Sequence, residues 1–307
     1  MHGVEAARPA AEQAAQPTAR GIFSACANPR CATGWLRLWR SRRTPGFESR
    51  WACSAECMGE LVSAALRREM DRGGTGPHAN RLPIGLMLLE RGRITADELR
   101  AALEEQRRAS GESVAGENGE ARRLGEWLVA RGVLDETALT RALGAQWSCP
   151  VLPLDAFSPE ETASALPRFL AEAAGALPLR VAGGKLLYLA FSGGIDRGLT
   201  AALGPMTGLQ VVAGIAPDSE FHRSLRNYLE APAPRARFLE AGSSGLLARA
   251  LTKLVESEKP VEARLRRVHG WFWLRMWRRL PAPAGLPGRG EVDDTICAVG
   301  REDGGEP

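Results

Sequence analysis

"RLGEWLVARGVLDETALTRALGAQ" (residues 123–146) holds a whole helical hairpin in 24 residues. Leu124 and Leu128 open an apolar stripe at helical spacing. Gly132 then falls where a first helix must stop, because glycine adopts the left-handed conformation that closes a helix at no steric cost. Asp135, three residues on, is a good N-cap, and Leu139 and Leu143 mark the buried stripe of a second helix. Forty residues earlier "PIGLMLLERGRITADELRAALEEQ" (83–106) repeats the pattern, with Gly85, Gly92, Leu99, Leu103 and Gln106 matching Gly125, Gly132, Leu139, Leu143 and Gln146. Here Thr95 and Glu98 form a capping box. The spacing predicts two stacked helical hairpins, and packing alone explains their glycines and leucines.

Working outward, 307 residues with 44% apolar and 25% charged content describe a chain able to bury about two domain cores. The net charge of +4 is modest, and the arginines cluster at 37–50 and 264–279. The leader 1–20 has no apolar core of a secretory signal and reads as disordered, as does the tail 301–307. No stretch supplies the roughly 18 apolar residues that span a bilayer. The expected location is cytoplasmic, where thiols stay reduced.

Four of the six cysteines form two close pairs, Cys26/Cys31 in "CANPRC" and Cys53/Cys57 in "CSAEC". Four converging thiolates suit tetrahedral zinc, and a closed shell of four leaves no position for catalysis. Asn28-Pro29 predicts a tight turn in the first pair, and the second pair leads into an amphipathic helix through Met58, Leu61, Val62, Ala65 and Leu66. Two disulfides or four unrelated thiols remain the alternative on spacing alone. The stretch 20–70, with "WACSAEC", resembles a treble-clef or FCS-type zinc finger, which implies structural zinc. Cys149 and Cys297 have no partner in the pattern and read as inert thiols.

Packing does not explain the opening Arg123-Leu124-Gly125 or the terminal Gln146. With these residues the pattern resembles the N-terminal domain of type II secretion and type IV pilus assembly ATPases (the GspE N-terminal domain), in its MshEN form. The resemblance spans about residues 80–230. It implies cyclic di-GMP as a nucleotide ligand, with Arg123, Leu124, Gly125, Leu128, Gly132, Leu139, Leu143 and Gln146, and their first-copy counterparts Gly85, Gly92, Leu99, Leu103 and Gln106, as ligand-binding positions. The chemistry is sound: an arginine fork can donate to guanine O6 and N7 or stack on the base. In the first copy Pro83 replaces the arginine, and Arg93 replaces an apolar residue after Gly92. The resemblance also implies docking onto a protein partner of a secretion or pilus assembly.

The phosphate-binding loop of those ATPases is absent from the sequence. Lys185 follows a glycine, but in "GGKLLY", where leucine stands at the magnesium-binding position. It reads as a hairpin turn within "VAGGKLLYLAF". His2, His78, His222 and His269 are scattered, and no nucleophile–base constellation assembles, so no enzyme is expected. Between 150 and 230 the predicted strands are "PVLPL", "LRVAG", "KLLYLAF" and "LQVVAGIA", with helices centred on 159–175, 196–205 and 218–229.

After a linker-like "APAPRAR", a Ser-capped helix carries Leu246, Leu247, Ala250, Leu251, Leu254 and Val255 on one face. Read with period two, the run 264–279 puts Val268, Phe272, Leu274 and Met276 on one side and Arg267, His269, Trp271, Trp273, Arg275 and Trp277 on the other. "VDDTICAV" is the expected partner strand. The Trp/Arg face packs against the zinc module or another subunit, or it stacks purines or single-stranded nucleic acid. As an amphipathic helix the run would instead insert its tryptophans at a membrane surface, a weaker reading because Arg275 and the tryptophans spread around the circumference.

The fold class expected is therefore α+β: a disordered leader (1–20), a four-cysteine zinc module (21–72), tandem helical hairpins (80–147), a small α+β sheet unit (148–230), and a C-terminal helix with a β-hairpin (240–300). The expected function is that of a non-enzymatic adaptor docking a protein partner under cyclic di-GMP control. The alternative is nucleic-acid binding through the zinc module and the Trp/Arg strand.

Overall fold

The computed structural model describes residues 26–31, 45–72, 81–112, 123–155, 157–279 and 285–300. The leader 1–20 and the tail 301–307 lie outside them. The described residues form a mixed α+β fold of ten helices and three small sheets.

Near the N-terminus a two-stranded knuckle, β1 (Gly46–Phe47) and β2 (Arg50–Trp51), precedes α1 (Ala55–Asp71). Ser54 caps α1 by accepting from the Cys57 amide, which draws the second cysteine pair onto the helix's first turn. The two hairpins follow as α2 (Ile84–Glu90) with α3 (Ala96–Glu112), and α4 (Leu124–Ala130) with α5 (Glu136–Trp147). Gly92 and Gly132 take φ of 61° and 68°, the left-handed stop the sequence demands. The Thr95/Glu98 box forms in both directions, at 2.7 and 3.3 Å. The Thr95 amide and hydroxyl, donating to the Glu98 carboxylate at 2.7 and 2.9 Å, hold that carboxyl below its ordinary range. Asp135 caps α5 through the Ala138 amide. Met87, Leu88, Leu99, Leu128, Leu134 and Leu139 interlock as one core between the hairpins.

The central unit holds short helices α6 (Pro159–Thr162) and α7 (Arg168–Ala173), then strands β3 (Ala176–Ala182) and β4 (Leu186–Phe191). After these come α8 (Arg197–Thr207), β5 (Gln210–Ile215) and α9 (Asp218–Glu230). β3 pairs with β4 antiparallel through the turn at Gly183-Gly184, and β4 pairs with β5 in parallel. Two expectations change here. "PVLPL" makes only a single bridge, Val151 to Ile215, since Pro150 and Pro153 have no N–H to donate to a ladder. The helix expected over 159–175 splits into two, because Pro167 starts the second one.

The C-terminal unit runs β6 (Ala236–Ala241), α10 (Ser244–Glu258), β7 (Glu262–Val268), β8 (Trp271–Trp277) and β9 (Val292–Val299). Its sheet order is β6-β9-β8-β7, with β6 and β9 parallel and the other pairs antiparallel. β6 was not expected; it occupies the end of the linker-like stretch and all of "FLEA". One face of this sheet shares a core with α10 and with the cysteine module: Met58, Leu61, Val62 and Leu66 pack with Leu247, Leu251, Leu265 and Leu274. At the β7 edge, the Gly46 amide donates to Pro260 and the Glu48 amide to Ala263. The described N-terminal module thus closes on the C-terminal sheet and α10, with residues 81–230 between them in sequence.

Candidate functional sites

The first site is the cysteine cluster. The Sγ atoms of Cys26, Cys31, Cys53 and Cys57 all lie within 4.8 Å of one another, and none is in a disulfide. Cys31–Cys53 and Cys53–Cys57 are separated by 3.5 and 3.7 Å. A tetrahedral ion with metal–sulfur bonds near 2.3 Å needs sulfurs about 3.8 Å apart, so the cluster fits a four-coordinate thiophilic metal. The supporting shell is also present. The Cys53 amide donates to Cys26 Sγ and the Asn28 side-chain amide to Cys57 Sγ, bonds that favour a thiolate. Asn28 closes the predicted turn, accepting from Cys31 through its carbonyl and from the Arg30 amide through Oδ1. Burial pushes the Cys26 thiol up to about 11, so a thiolate there calls for a neighbouring cation. Cys297 and Cys149 stand apart from the cluster, the first fully buried and the second half-buried.

The second site is the tandem hairpin. Most motif positions are consumed in packing. Gly125 sits under Leu139, whose Cδ atoms would lie 2.8 Å from a Cβ there, and Gly85 sits under Leu99 in the same way. Leu128 is fully buried, Leu139 and Leu99 nearly so, and Leu124, Leu143 and Leu103 are half-buried in the same core. Gln146 donates through Nε2 to the Leu82 carbonyl at 2.8 Å, tying the end of the second hairpin to the start of the first. Gln106 lies half-buried on α3.

Arg123 differs from all of these. It is the N-cap residue of α4; its Nε donates to Glu126 at 3.1 Å, and its side chain is 54% exposed. Its Nη1 fills the space that a side chain on Gly193 would need. Beside it, Arg81 lies over the Trp147 indole at 3.5 Å, and Trp147 presses on Gly194. Sequence reasoning did not select Gly193, Gly194 or Trp147. The available signal was the Gly-Gly pair after a strand, which often marks a close approach of other groups to backbone.

The first hairpin has a different surface at the matching turn. Where the second hairpin has Arg123 and Glu126, the first has Pro83 and Leu86, which are exposed together with Leu82. The ion pair of one copy is an apolar patch in the other.

Half of the Trp/Arg face is covered, while Arg267, His269 and Trp271 keep part of their surface. Trp273, Arg275 and Trp277 are at most 1% exposed. Trp273 joins the core of the central unit, and Arg275 reaches that unit's backbone. Arg275 Nη1 donates to the carbonyls of Ala165 and Met206, while Arg264 donates to that of Pro205. Bases cannot stack on the rings of Trp273 and Trp277, which are already covered.

No protein-family model and no curated protein matches the chain. Among solved structures the chain is similar to MshE with cyclic di-GMP, at 27% identity over 48% of this chain and 99% of that one, with a TM-score of 0.38. It is also similar to the N-terminal domain of XpsE in two crystal forms. One is 22% identical over 47% of this chain and 92% of that one, with a TM-score of 0.33. The other is 16% identical over 50% and 98%, with a TM-score of 0.26. No helix among the described residues is long and apolar enough to cross a membrane.

Proposed function

We propose that this chain is a non-enzymatic adaptor that docks a protein partner through the tandem hairpins, with Arg123 open to a guanine-bearing ligand such as cyclic di-GMP. The observation that carries the reading is the asymmetry of the two copies. One turn presents a half-exposed arginine, and its counterpart presents Leu82, Pro83 and Leu86 to solvent. An apolar turn cannot donate to a guanine edge, but it supplies the kind of anchor that protein interfaces bury. Arg123 keeps the geometry a guanine or phosphate needs, a planar fork held at its Nε end. Cys26, Cys31, Cys53 and Cys57 hold a structural zinc that fixes the N-terminal knuckle.

Calorimetric titration of the full chain with cyclic di-GMP tests the ligand half. Arg123→Ala should weaken binding about 5–150-fold, the value of one arginine–guanine contact. If high micromolar ligand gives no heat with the wild-type protein, the ligand half is wrong. For docking, a photo-crosslinking residue at position 86 should capture one discrete protein in the native host, and the same residue at position 126 should not. Equal capture at both positions would remove the case for the apolar turn.

A further inference from the structure

The loop 192–196 between β4 and α8 meets three parts of the molecule within five residues. At its start, Arg123 lies against the Gly193 backbone. At Gly194, a Cβ would come within 2.6 Å of Trp147 Cζ2. At its end, Asp196 Oδ1 accepts from the Leu199 amide at 2.9 Å and so caps α8. Asp196 Oδ2 pairs with His269 Nε2, in the turn joining β7 to β8. That turn is held tightly: His269 has φ 54°, and its carbonyl accepts from Arg267 Nε. The loop is therefore a short bridge with the motif arginine at one end and the C-terminal sheet at the other.

Arg123 has little freedom to take a ligand without disturbing this bridge. Its Nε is engaged by Glu126, and its Nη1 occupies the space beside the Gly193 backbone that a Cβ would take. A ligand that claims the guanidinium fork must draw it off Gly193. The space vacated is on the loop itself, three residues from the carboxylate that holds His269.

We propose that the loop 192–196 couples occupancy of Arg123 to the C-terminal sheet, so that a ligand drawn onto the guanidinium alters the Asp196–His269 contact and loosens the β7–β8 turn. This rests on the reading that Arg123 takes a guanine-bearing or anionic ligand. Coupling of this kind requires an element whose arrangement both sites bias, and on this proposal that part falls to the loop, whose Gly193 meets Arg123 and whose Asp196 meets His269.

The test is hydrogen exchange on the full chain, following amides 266–272, with calorimetry run in parallel. Saturating cyclic di-GMP should speed exchange there about fivefold or more. Asp196→Asn, which keeps a capping side chain, should still bind the ligand but lose the response. Heat without any change in the turn overturns the coupling and leaves the binding reading intact. A ligand-free arm compares Gly193→Ala, Arg123→Ala and the double variant. Displacing Arg123 with the alanine methyl should perturb amides 266–272 only when Arg123 is present, a non-additive cycle. Additive or null effects overturn the coupling even where the ligand does not bind at all. Absence of heat with a non-additive cycle overturns the binding reading alone.

Discussion

Arg275 and Asp294 face one another across β8 and β9 as a fully buried, two-pronged ion pair, with Nε–Oδ1 and Nη2–Oδ2 both at 2.8 Å. The Trp273 indole N–H donates to the same Asp294 Oδ1 at 2.7 Å. Two charges leave water together here, and Arg275's remaining N–H groups reach carbonyls of the central unit. The pair thereby fixes how the C-terminal sheet sits on its neighbour. Removing one partner strands the other charge in a dry interface, at a cost of about 3–5 kcal/mol. Arg275→Ala and Asp294→Ala should each show that loss in denaturant unfolding. A joint apolar replacement of both residues should cost much less. Single variants within about 0.5 kcal/mol of wild type would show that the pair is not desolvated in solution.

The cysteine cluster should carry about one equivalent of zinc, as four thiolates make one closed site. Cys53→Ser or chelation should lower the content and raise hydrogen exchange in α10, nearly 200 residues away. The route is the shared core of Met58, Leu61 and Val62 with Leu247 and Leu251. The hairpin helices α2 to α5 should keep their protection. Uniform loss across the chain would mean that the ion does not act through this core.

At Gly132, φ of 68° leaves open space for a methyl group but penalises any L side chain. Gly132→Ala should cost about 1–2 kcal/mol, and Gly132→Asn less, since asparagine tolerates the left-handed region better. Equal costs for the two substitutions in chemical denaturation would contradict a purely conformational origin.

Burial alone pushes the Cys297 thiol up to about 12. Its folded value exceeds the unfolded one near 8.5. The native state therefore gains from the neutral thiol, fully below about pH 8.5, and loses that gain as pH climbs toward 12. Iodoacetamide at pH 8.5 should leave Cys297 unmodified in native protein and alkylate it in denaturant. Native alkylation at the rate of the unfolded chain would overturn this.

Much of the fold was legible because it is written in local chemistry. Gly92, Gly132, Thr95 and Asp135 announce the hairpin boundaries, and Gly183-Gly184 announces the β3–β4 turn. The cysteine spacing likewise points to one convergent cluster. What could not be read lies in pairings across long separations. Trp273, Arg275 and Trp277 look like a solvent-facing cationic stripe until Asp294, 19 residues on, neutralises the arginine from the next strand. β6 is hard to see because "ARFLEA" has only half a strand pattern, and its stability comes from pairing with β9 more than fifty residues later. In the candidate site, the motif located Arg123 but not the glycine loop beneath it. That contact joins two units whose relative placement no local spacing encodes.

The closure of the N-terminal knuckle onto β7 and α10 has a consequence for synthesis. The apolar side of α1 emerges from the ribosome early, yet the strands that cover it are completed only after about two hundred further residues. At about 5–20 residues per second this leaves that surface bare for some 10–40 seconds. During that interval the nascent chain presents a sticky flank to chaperones or to neighbouring nascent chains, so growth temperature and translation speed should govern how much of it is recovered intact.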